Sequence, residues 1–236
     1  MTASKIDFDL ERANQYDLDI RNAIPGYEAL HGMAQSLLET NLPSMANLLI
    51  VGSGTGMELV NYSHDNTQWK LTGVDPSEAM MAIAKRELAD KNLLERVNLH
   101  TGYADTLPKG ELMDAATLML VMHFIPDDGA KLQLLQSIVK HLKPGAELVL
   151  ADLHGDKSAP YFAKYKKAWR TLYFNSLDNA ARAKAEQNFE SSIDNSIYFV
   201  PETRIIELLN IAGFDRINKF YNAFLFGGWT ARYTGN

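Results

Sequence analysis

Short apolar runs alternate along the chain with segments in which apolar residues recur every three or four positions. The runs have the length of buried strands, and the periodic segments have the length of helices. This alternation is typical of a parallel sheet whose strands are connected by helices. We place strands at residues 47–51, 69–75, 97–102, 115–122 and 147–153, and helices at residues 57–65, 77–91, 128–142 and 201–212.

Two regions depart from this alternation. Residues 1–44 precede the first strand and are expected to be helical, and residues 155–200 are predicted to form two helices rich in aromatic and charged residues. After the last helix, two strand-like runs are predicted to pair as an antiparallel hairpin, 215–223 and 226–233. We therefore expect an N-terminal helical arm (1–44), an α/β core (45–154), a helical cap (155–200) and a terminal helix with the hairpin (201–236).

The composition excludes some classes of protein and disfavours others. The chain has 236 residues, 46% of them hydrophobic, which suits one large domain or one domain with an insertion. It has no cysteine, so disulfides and thiolate metal sites are excluded, and no cluster of His, Asp and Glu indicates a metal. A formal charge of −6 without a basic block does not favour a nucleic-acid partner.

The same residues predict a location. No apolar stretch approaches the roughly 20 residues of a membrane span, and the N-terminal segment lacks the basic start and apolar middle of a signal peptide. We therefore expect a cytoplasmic protein without a membrane partner.

A glycine-rich turn, "VGSGTG", follows the first strand and precedes a helix. The N-terminus of a helix presents unpaired N–H groups, and glycine lets a ligand lie directly on the backbone. Gly52, Gly54 and Gly56 therefore predict a ligand with a carboxylate or a phosphate. The dinucleotide pattern G-x-G-x-x-G requires its third glycine where Met57 stands, which disfavours an NAD-dependent enzyme.

An acidic residue, Asp75, ends the second strand in "GVDPSEAM", about 20 residues after the glycines. A carboxylate at this distance and strand end accepts the hydroxyls of a ribose. The alternative is that Asp75 only caps the following helix, beside Pro76.

The segments "VGSGTG", "GVDPSEAM", "GYADTLP", "DAATLMLVMHFIPD" and "LKPGAELVLADL" occur in the order and spacing of class I S-adenosylmethionine-dependent methyltransferases, which the chain resembles. The resemblance covers about residues 45–155, with the terminal helix and hairpin. It implies a Rossmann-like, seven-stranded, mostly parallel sheet and S-adenosyl-L-methionine as cofactor. It also implies cofactor contacts for Gly52, Ser53, Gly54 and Gly56 (methionine part), Asp75 and Pro76 (ribose), Met80, Ala104 and Asp105 (adenine), and Met119 (sulfonium).

Two positions depart from that family. Many members carry an acid two residues before the first glycine, where this chain has Ile50. Many also carry an acid where this chain has Tyr103, with Asp105 two residues further on. The ammonium of the cofactor is therefore expected to use backbone carbonyls, and the adenine amine is expected to use Asp105 or Tyr103.

The arm segment "YDLDIRNAIPGYEAL" is similar to a Y-D-x-x-x-R-x-x-I-P segment of a subset of these enzymes. The resemblance implies that Arg21 binds the methionine carboxylate, for which a guanidinium is well suited, and that Tyr16 and Tyr27 close the pocket. The alternative is an amphipathic lid in which Arg21 pairs with Asp17 or Glu28.

The arm, with "AGF" and "FGG" near the C-terminus, also resembles the carboxy-S-adenosylmethionine synthases of tRNA modification. Those enzymes hold an extra carboxylate with an arginine before the last helix. No arginine lies between Arg182 and Arg204 in this chain. Because a buried carboxylate without a cation is costly, this activity ranks second.

Methyl transfer also needs an acceptor site and, for some acceptors, a general base. The cap is predicted to cover the acceptor with aromatic residues, Tyr161, Phe162, Tyr165, Trp169, Tyr173 and Phe174, although their spacing also fits packing on the core. His154 and His123 follow the fifth and fourth strands and are candidate bases, and Tyr16 is a third catalytic candidate. The other histidines are expected to be surface or structural residues: His31, His64, His100 and His141.

The sequence therefore predicts transfer of a methyl group from S-adenosylmethionine to a small-molecule acceptor. The alternatives are a carboxy-S-adenosylmethionine synthase and a non-catalytic module that binds the cofactor. A homodimer through the aromatic cap is also considered.

Overall fold

The computed structural model describes residue 17 and residues 19–235, which contain a seven-stranded sheet with helices on both faces. Strands β1 to β5 run parallel in the order β3-β2-β1-β4-β5, and β7 and β6 follow as antiparallel neighbours. The predicted Rossmann-like sheet and its terminal hairpin are confirmed. The strands are β1 (Asn47–Val51), β2 (Lys70–Asp75), β3 (Val97–Thr101), β4 (Met113–Met119), β5 (Leu142–Leu153), β6 (Phe214–Ala223) and β7 (Phe226–Tyr233).

Seven longer helices lie within the described residues. They are α1 (Tyr27–Asn41), α2 (Met57–Asp65), α3 (Glu78–Asp90), α4 (Ala130–Val139), α5 (Pro160–Asn175), α6 (Asn179–Ser196) and α7 (Glu202–Ile211). A helical segment at residues 19–23 precedes α1. The division of the chain into arm, core, cap and terminal part stays a prediction.

Strand β1 shows why the sheet is buried on both faces. Leu48 and Ile50 pack into one apolar cluster, and Leu49 and Val51 pack into another, because successive side chains of a strand point to opposite faces. The first cluster includes residues of α1, α2, α5 and α6, and the second includes residues of α4 and α7. A continuous apolar run such as "LLIV" is typical of a strand covered by helices on both sides.

Three predicted boundaries between residues 119 and 147 were wrong by a few residues. The fourth strand ends at Met119 rather than at residue 122, since Leu120 adopts a positive φ of 62°, which breaks the extended backbone. The helix predicted at residues 128–142 is α4, which ends at Val139. Strand β5 begins at Leu142, which pairs with Met113 of β4 before the register between the two strands shifts. The segment "LKPG" is therefore part of a strand rather than the end of a helix.

The predicted cap aromatics divide between the interior and the surface. Phe162, Trp169 and Phe174 are buried in the first apolar cluster, so they pack on the core. Tyr161 and Tyr165 are exposed, at 41% and 38%. A homodimer through this surface stays a prediction. None of the helices in the described residues (17 and 19–235) combines the length and the apolar composition of a transmembrane segment.

Candidate functional site

The loop between β1 and α2 carries the three glycines, and each has a different environment. A Cβ on Gly52 would collide with the side chain of Val121, and one on Gly56 would lie 2.9 Å from the Cβ of Ala84. Both glycines are therefore required by packing. Gly54 has a φ of 52°, and in the described part of the chain nothing beyond its neighbours comes within 4 Å of where its Cβ would be. The open space over Gly54 lets a ligand lie on the backbone.

Asp75 lies at the end of β2, directly against this loop. Its Oδ2 accepts a hydrogen bond from the backbone N–H of Gly54 at 3.0 Å, and its Oδ1 accepts one from Ser77 at 2.9 Å. Burial raises the pKa of Asp75, and these two N–H groups oppose the shift. A carboxylate oxygen accepts more than one hydrogen bond, so both oxygens retain capacity for the hydroxyls of a ribose. The side chain of Ser77 caps helix α3.

A small cavity opens beside the glycine loop, at the carboxyl ends of β1 and β4. Ligands of open α/β sheets bind at this edge. The lining combines predicted cofactor residues (Gly52, Ser53, Gly54, Met119 and Tyr27) with residues that were not predicted (His31, Thr55, Met57, Glu58 and Leu120). The predicted residues come from three separated segments of the chain, and the fold brings them to one place.

Two titratable residues of this lining, His31 and Glu58, were not predicted from the sequence to lie at the site. His31 is 7% exposed, and neither ring nitrogen has a hydrogen-bond partner among the described residues. Burial, with a smaller contribution from Arg21, lowers the pKa of His31 to about 4, so the ring is neutral near pH 7. His31 follows Tyr27 by four residues, which places both on one face of α1. That spacing was the available signal for His31.

The N-terminal arm is attached to the glycine loop. The hydroxyl of Thr55 donates a hydrogen bond to Oδ1 of Asp17 at 2.6 Å. Tyr27 is buried and lines the cavity, and its role in closing the pocket stays a prediction. Tyr16 lies outside the described residues.

Arg21 forms an ion pair with Glu28, which is the alternative that the sequence left open. Its guanidinium carbon lies 5.6 Å from the ring centroid of Tyr27, within the range of a cation–π contact. Binding of the methionine carboxylate by Arg21 stays a prediction, and it would compete with this ion pair.

The residues predicted to contact the adenine, and Pro76 of the predicted ribose site, lie outside the cavity lining. Met80 is buried with Ile83 on α3, and Pro76 is exposed at the start of that helix. Ala104 is buried after β3, whereas Asp105 is exposed. The backbone still places β2 and β3 together at this edge, because the N–H of residue 102 donates to the carbonyl of residue 75.

The two predicted bases do not line the cavity. His123 is 3% exposed, and its Nδ1 is paired with the buried carboxylate of Asp152, near the buried ammonium of Lys131. The ring of His154 packs edge-on against Trp229 at 5.2 Å. Burial, followed by the charge of a nearby lysine, lowers the pKa of His154 to about 4. Their catalytic roles stay predictions.

The cap contacts the arm through Trp169, whose Nε1–H donates to the carbonyl of Ala23 at 2.6 Å. Trp169→Phe would keep the ring contacts with Phe189 and Phe226 and remove this hydrogen bond. A hydrogen bond contributes about 1 kcal/mol, so we expect amide hydrogen exchange in residues 19–26 to become faster, by up to about tenfold.

Trp69→Phe is the matched control, because Trp69 also donates its Nε1–H to a backbone carbonyl, that of Pro43. Exchange in the arm should not respond to this change. Equal acceleration of the arm in both variants would mean that general destabilisation, and not the Trp169 contact, controls the arm.

Residues 49–148 match the family described as a methyltransferase domain. A carboxy-S-adenosyl-L-methionine synthase from Campylobacter hominis is 24% identical over 224 residues, which cover 92% of this chain and 90% of that protein. A ubiquinone/menaquinone biosynthesis C-methyltransferase from Serratia proteamaculans is 24% identical over 193 residues, 80% of this chain and 72% of that protein. A SAM-dependent methyltransferase structure from Aquifex aeolicus has a TM-score of 0.63 at 18% identity and covers 96% of this chain and 99% of that chain.

These similarities agree with the site. The space over Gly54 and the acceptor capacity of Asp75 fit the aminoacyl and ribose parts of S-adenosyl-L-methionine, the cofactor that the family implies. The resemblance inferred from the sequence is thereby confirmed: residues 49–148 match a methyltransferase domain, and the chain shares its fold with a solved SAM-dependent methyltransferase.

Proposed function

We propose that the chain transfers a methyl group from S-adenosyl-L-methionine to a small-molecule acceptor by direct displacement. The main support is the position of Met119, at the end of β4, in the same cavity as the open backbone of Gly54. When bound, the cofactor supplies an electrophilic methyl group: the acceptor atom forms a bond to the methyl carbon, and the electron pair of the carbon–sulfur bond remains on sulfur.

The lining favours this reaction through positioning and exclusion of water. Tyr27, Met57, Met119 and Leu120 present apolar surface to the cavity. Positive charge on the cofactor disappears during transfer, so an apolar surrounding accelerates it, and the ring of Tyr27 can stabilise the cation before transfer. Orientation of two reactants can supply about 7–11 kcal/mol of barrier reduction.

A general base is not assigned. His123 is held in a buried pair, and His154 packs against Trp229, so neither faces the lining. Neutral His31 does line the cavity, but a group with a pKa of about 4 is a weak base near neutrality. We therefore attribute the rate to positioning and desolvation.

Synthesis of a carboxylated cofactor is the second candidate, because the similarity to the Campylobacter hominis protein extends over 92% of the chain. An additional carboxylate in the cavity would need a cation. The described lining contains the acid Glu58 and neither lysine nor arginine. Because an unpaired buried charge is costly, methyl transfer remains our first proposal.

The proposal is tested by mass spectrometry of the ligand that co-purifies with the protein, followed by calorimetry and turnover. We expect the methylated cofactor or S-adenosylhomocysteine to co-purify, and S-adenosylhomocysteine to bind where NADH does not. A panel of amine, hydroxyl and carboxyl acceptors should then yield a product that is heavier by one methyl group.

Other outcomes of these experiments would favour an alternative function or exclude the proposal. Co-purified carboxy-S-adenosylmethionine would favour the second candidate. Tight binding of S-adenosylhomocysteine without turnover by any acceptor would favour a non-catalytic binding module. Binding of NADH alone would exclude the proposal.

A further inference from the structure

The cavity contains a buried acid that has no cationic partner in the part of the chain that the structure describes. Glu58 is the second residue of α2 and is 6% exposed. Its Oε1 accepts a hydrogen bond from the hydroxyl of Tyr62 at 3.3 Å, and no lysine or arginine among residues 17 and 19–235 forms an ion pair with it. A carboxylate at a helix N-terminus is favoured by the helix dipole, but that effect needs no burial. A buried acid without a cation is costly, and its position at a ligand cavity therefore indicates a cationic ligand.

The location of Glu58 also compensates for a residue that the chain lacks. Ile50 on β1 pairs in register with Thr117 on β4. The buried hydroxyl of Thr117 is near enough to the carboxyl of Glu58 to lower its pKa, without a hydrogen bond between the two. The carboxyl therefore lies at the level of Ile50, the position at which many class I methyltransferases carry an acid. Here an acidic group reaches that level from helix α2 instead of from strand β1.

We propose that the carboxylate of Glu58 binds the ammonium group of the cofactor, and that cofactor binding releases the proton of this carboxyl to solvent. This inference rests on the proposed function, because it assumes that the aminoacyl end of the cofactor enters this cavity. The proton balance is simple: a neutral Glu58 carboxyl and an ammonium group become a carboxylate–ammonium pair and one free proton.

The electrostatics of the site support the proton release. Burial raises the pKa of Glu58 to about 7, and the hydroxyls of Thr117 and Tyr62 only partly oppose the shift. The free protein is therefore expected to hold Glu58 largely protonated below neutrality. An ammonium ligand favours the ionised form, because an opposite charge at short range lowers the pKa of an acid.

The neighbouring titratable groups do not account for a proton release near neutrality. Tyr62, on the same helix, has a pKa raised well above its usual value by burial, with Glu58 and Glu39 adding to the shift. His31, on α1, is neutral above about pH 5, since burial and Arg21 lower its pKa to about 4. Tyr27 of α1 lines the same cavity, and Asp17 of the arm contacts the loop through Thr55. Of Glu58, Tyr62 and His31, Glu58 is the group whose charge we expect to change near pH 7.

The test is calorimetry of S-adenosylhomocysteine binding between about pH 6 and about pH 8, in two buffers with different ionisation enthalpies. We expect the unaltered protein to release close to one proton per ligand at about pH 6 and far less at about pH 8. Its affinity should rise with pH by up to about tenfold per unit below pH 7 and level off above it.

Glu58→Gln keeps the size of the side chain and cannot ionise. At about pH 8 we expect this variant to bind S-adenosylhomocysteine roughly 10- to 100-fold more weakly, because it loses a hydrogen bond to a charged group. The proton release should disappear. The titration of the ligand's own amine is common to both proteins and cancels in the comparison.

5′-Methylthioadenosine is the matched probe, because it has the ribose and the adenine but no amino acid. Glu58→Gln should bind it as the unaltered protein does, which also shows that the variant is folded. Asp75→Ala should weaken both ligands. Undiminished binding of S-adenosylhomocysteine by Glu58→Gln, or persistent proton release in that variant, would overturn this inference. The proposed function would be unaffected.

One result would overturn the proposed function as well as this inference. If the unaltered protein does not bind S-adenosylhomocysteine at all, both the inference and the proposed function fail. If Glu58→Gln does not fold, the proton count of the unaltered protein still decides: no proton release at about pH 6 contradicts the inference.

Discussion

Gly54→Ala is expected to weaken S-adenosylhomocysteine binding by at least about tenfold, even where the variant is folded. The new methyl group would occupy the space that the cofactor needs against the backbone. The positive φ of 52° adds strain of roughly 1–2 kcal/mol for any residue with a Cβ. Calorimetry measures the affinity, and thermal unfolding measures the strain separately.

Gly129→Ala is the matched control for this change. Gly129 also has a positive φ, of 105°, and its Cβ would also meet open space. It lies before helix α4 and does not line the cavity. Both variants should lose thermal stability, and only Gly54→Ala should lose affinity. Equal losses of affinity would show that the effect comes from strain, and the assignment of the glycine loop as the cofactor site would then be untenable.

Asp152→Ala is expected to lower the free energy of unfolding by about 3–5 kcal/mol, which is the usual cost of removing one partner of a buried ion pair. Asp152 is 1% exposed and accepts hydrogen bonds from both the backbone and the ring of His123. Its charge also raises the pKa of Lys131, against the larger lowering by burial. Without Asp152, the buried Lys131 loses a compensating charge, and His123 loses the acceptor of two hydrogen bonds. Urea unfolding at constant pH gives the free energy.

Glu190→Ala is the control, because Glu190 pairs with Lys166 on the surface of the cap and is 56% exposed. Exposed ion pairs contribute little to stability, so this variant should unfold close to the unaltered protein. If Asp152→Ala is equally harmless, the His123–Asp152 pair has no structural role, and a role for His123 in the reaction becomes the better explanation of the pair.

The agreement between sequence and structure is best where the information is local. The run "LLIV" and the following glycines specify a buried strand, a tight turn and the start of a helix within a dozen residues. Asp75 was identifiable for the same reason, since its distance along the chain from the glycines reflects one strand–helix–strand unit. The boundaries of β4 and β5 were less predictable, because the positive φ of Leu120 and the register shift before residue 115 depend on neighbouring strands.

The surroundings of the cavity required the folded chain. In the sequence, Glu58 resembles an ordinary acid at a helix start and His31 a surface histidine, yet the fold buries both beside the glycine loop. Conversely, His123 and His154 follow strands β4 and β5, where a catalytic base is often found. In the folded chain His123 pairs with Asp152, and His154 packs against Trp229. The order of strands and helices and the cofactor-binding turn thus followed from local periodicity and spacing. The identity of the titratable groups at the cavity depended on contacts between distant segments, which no local pattern encodes.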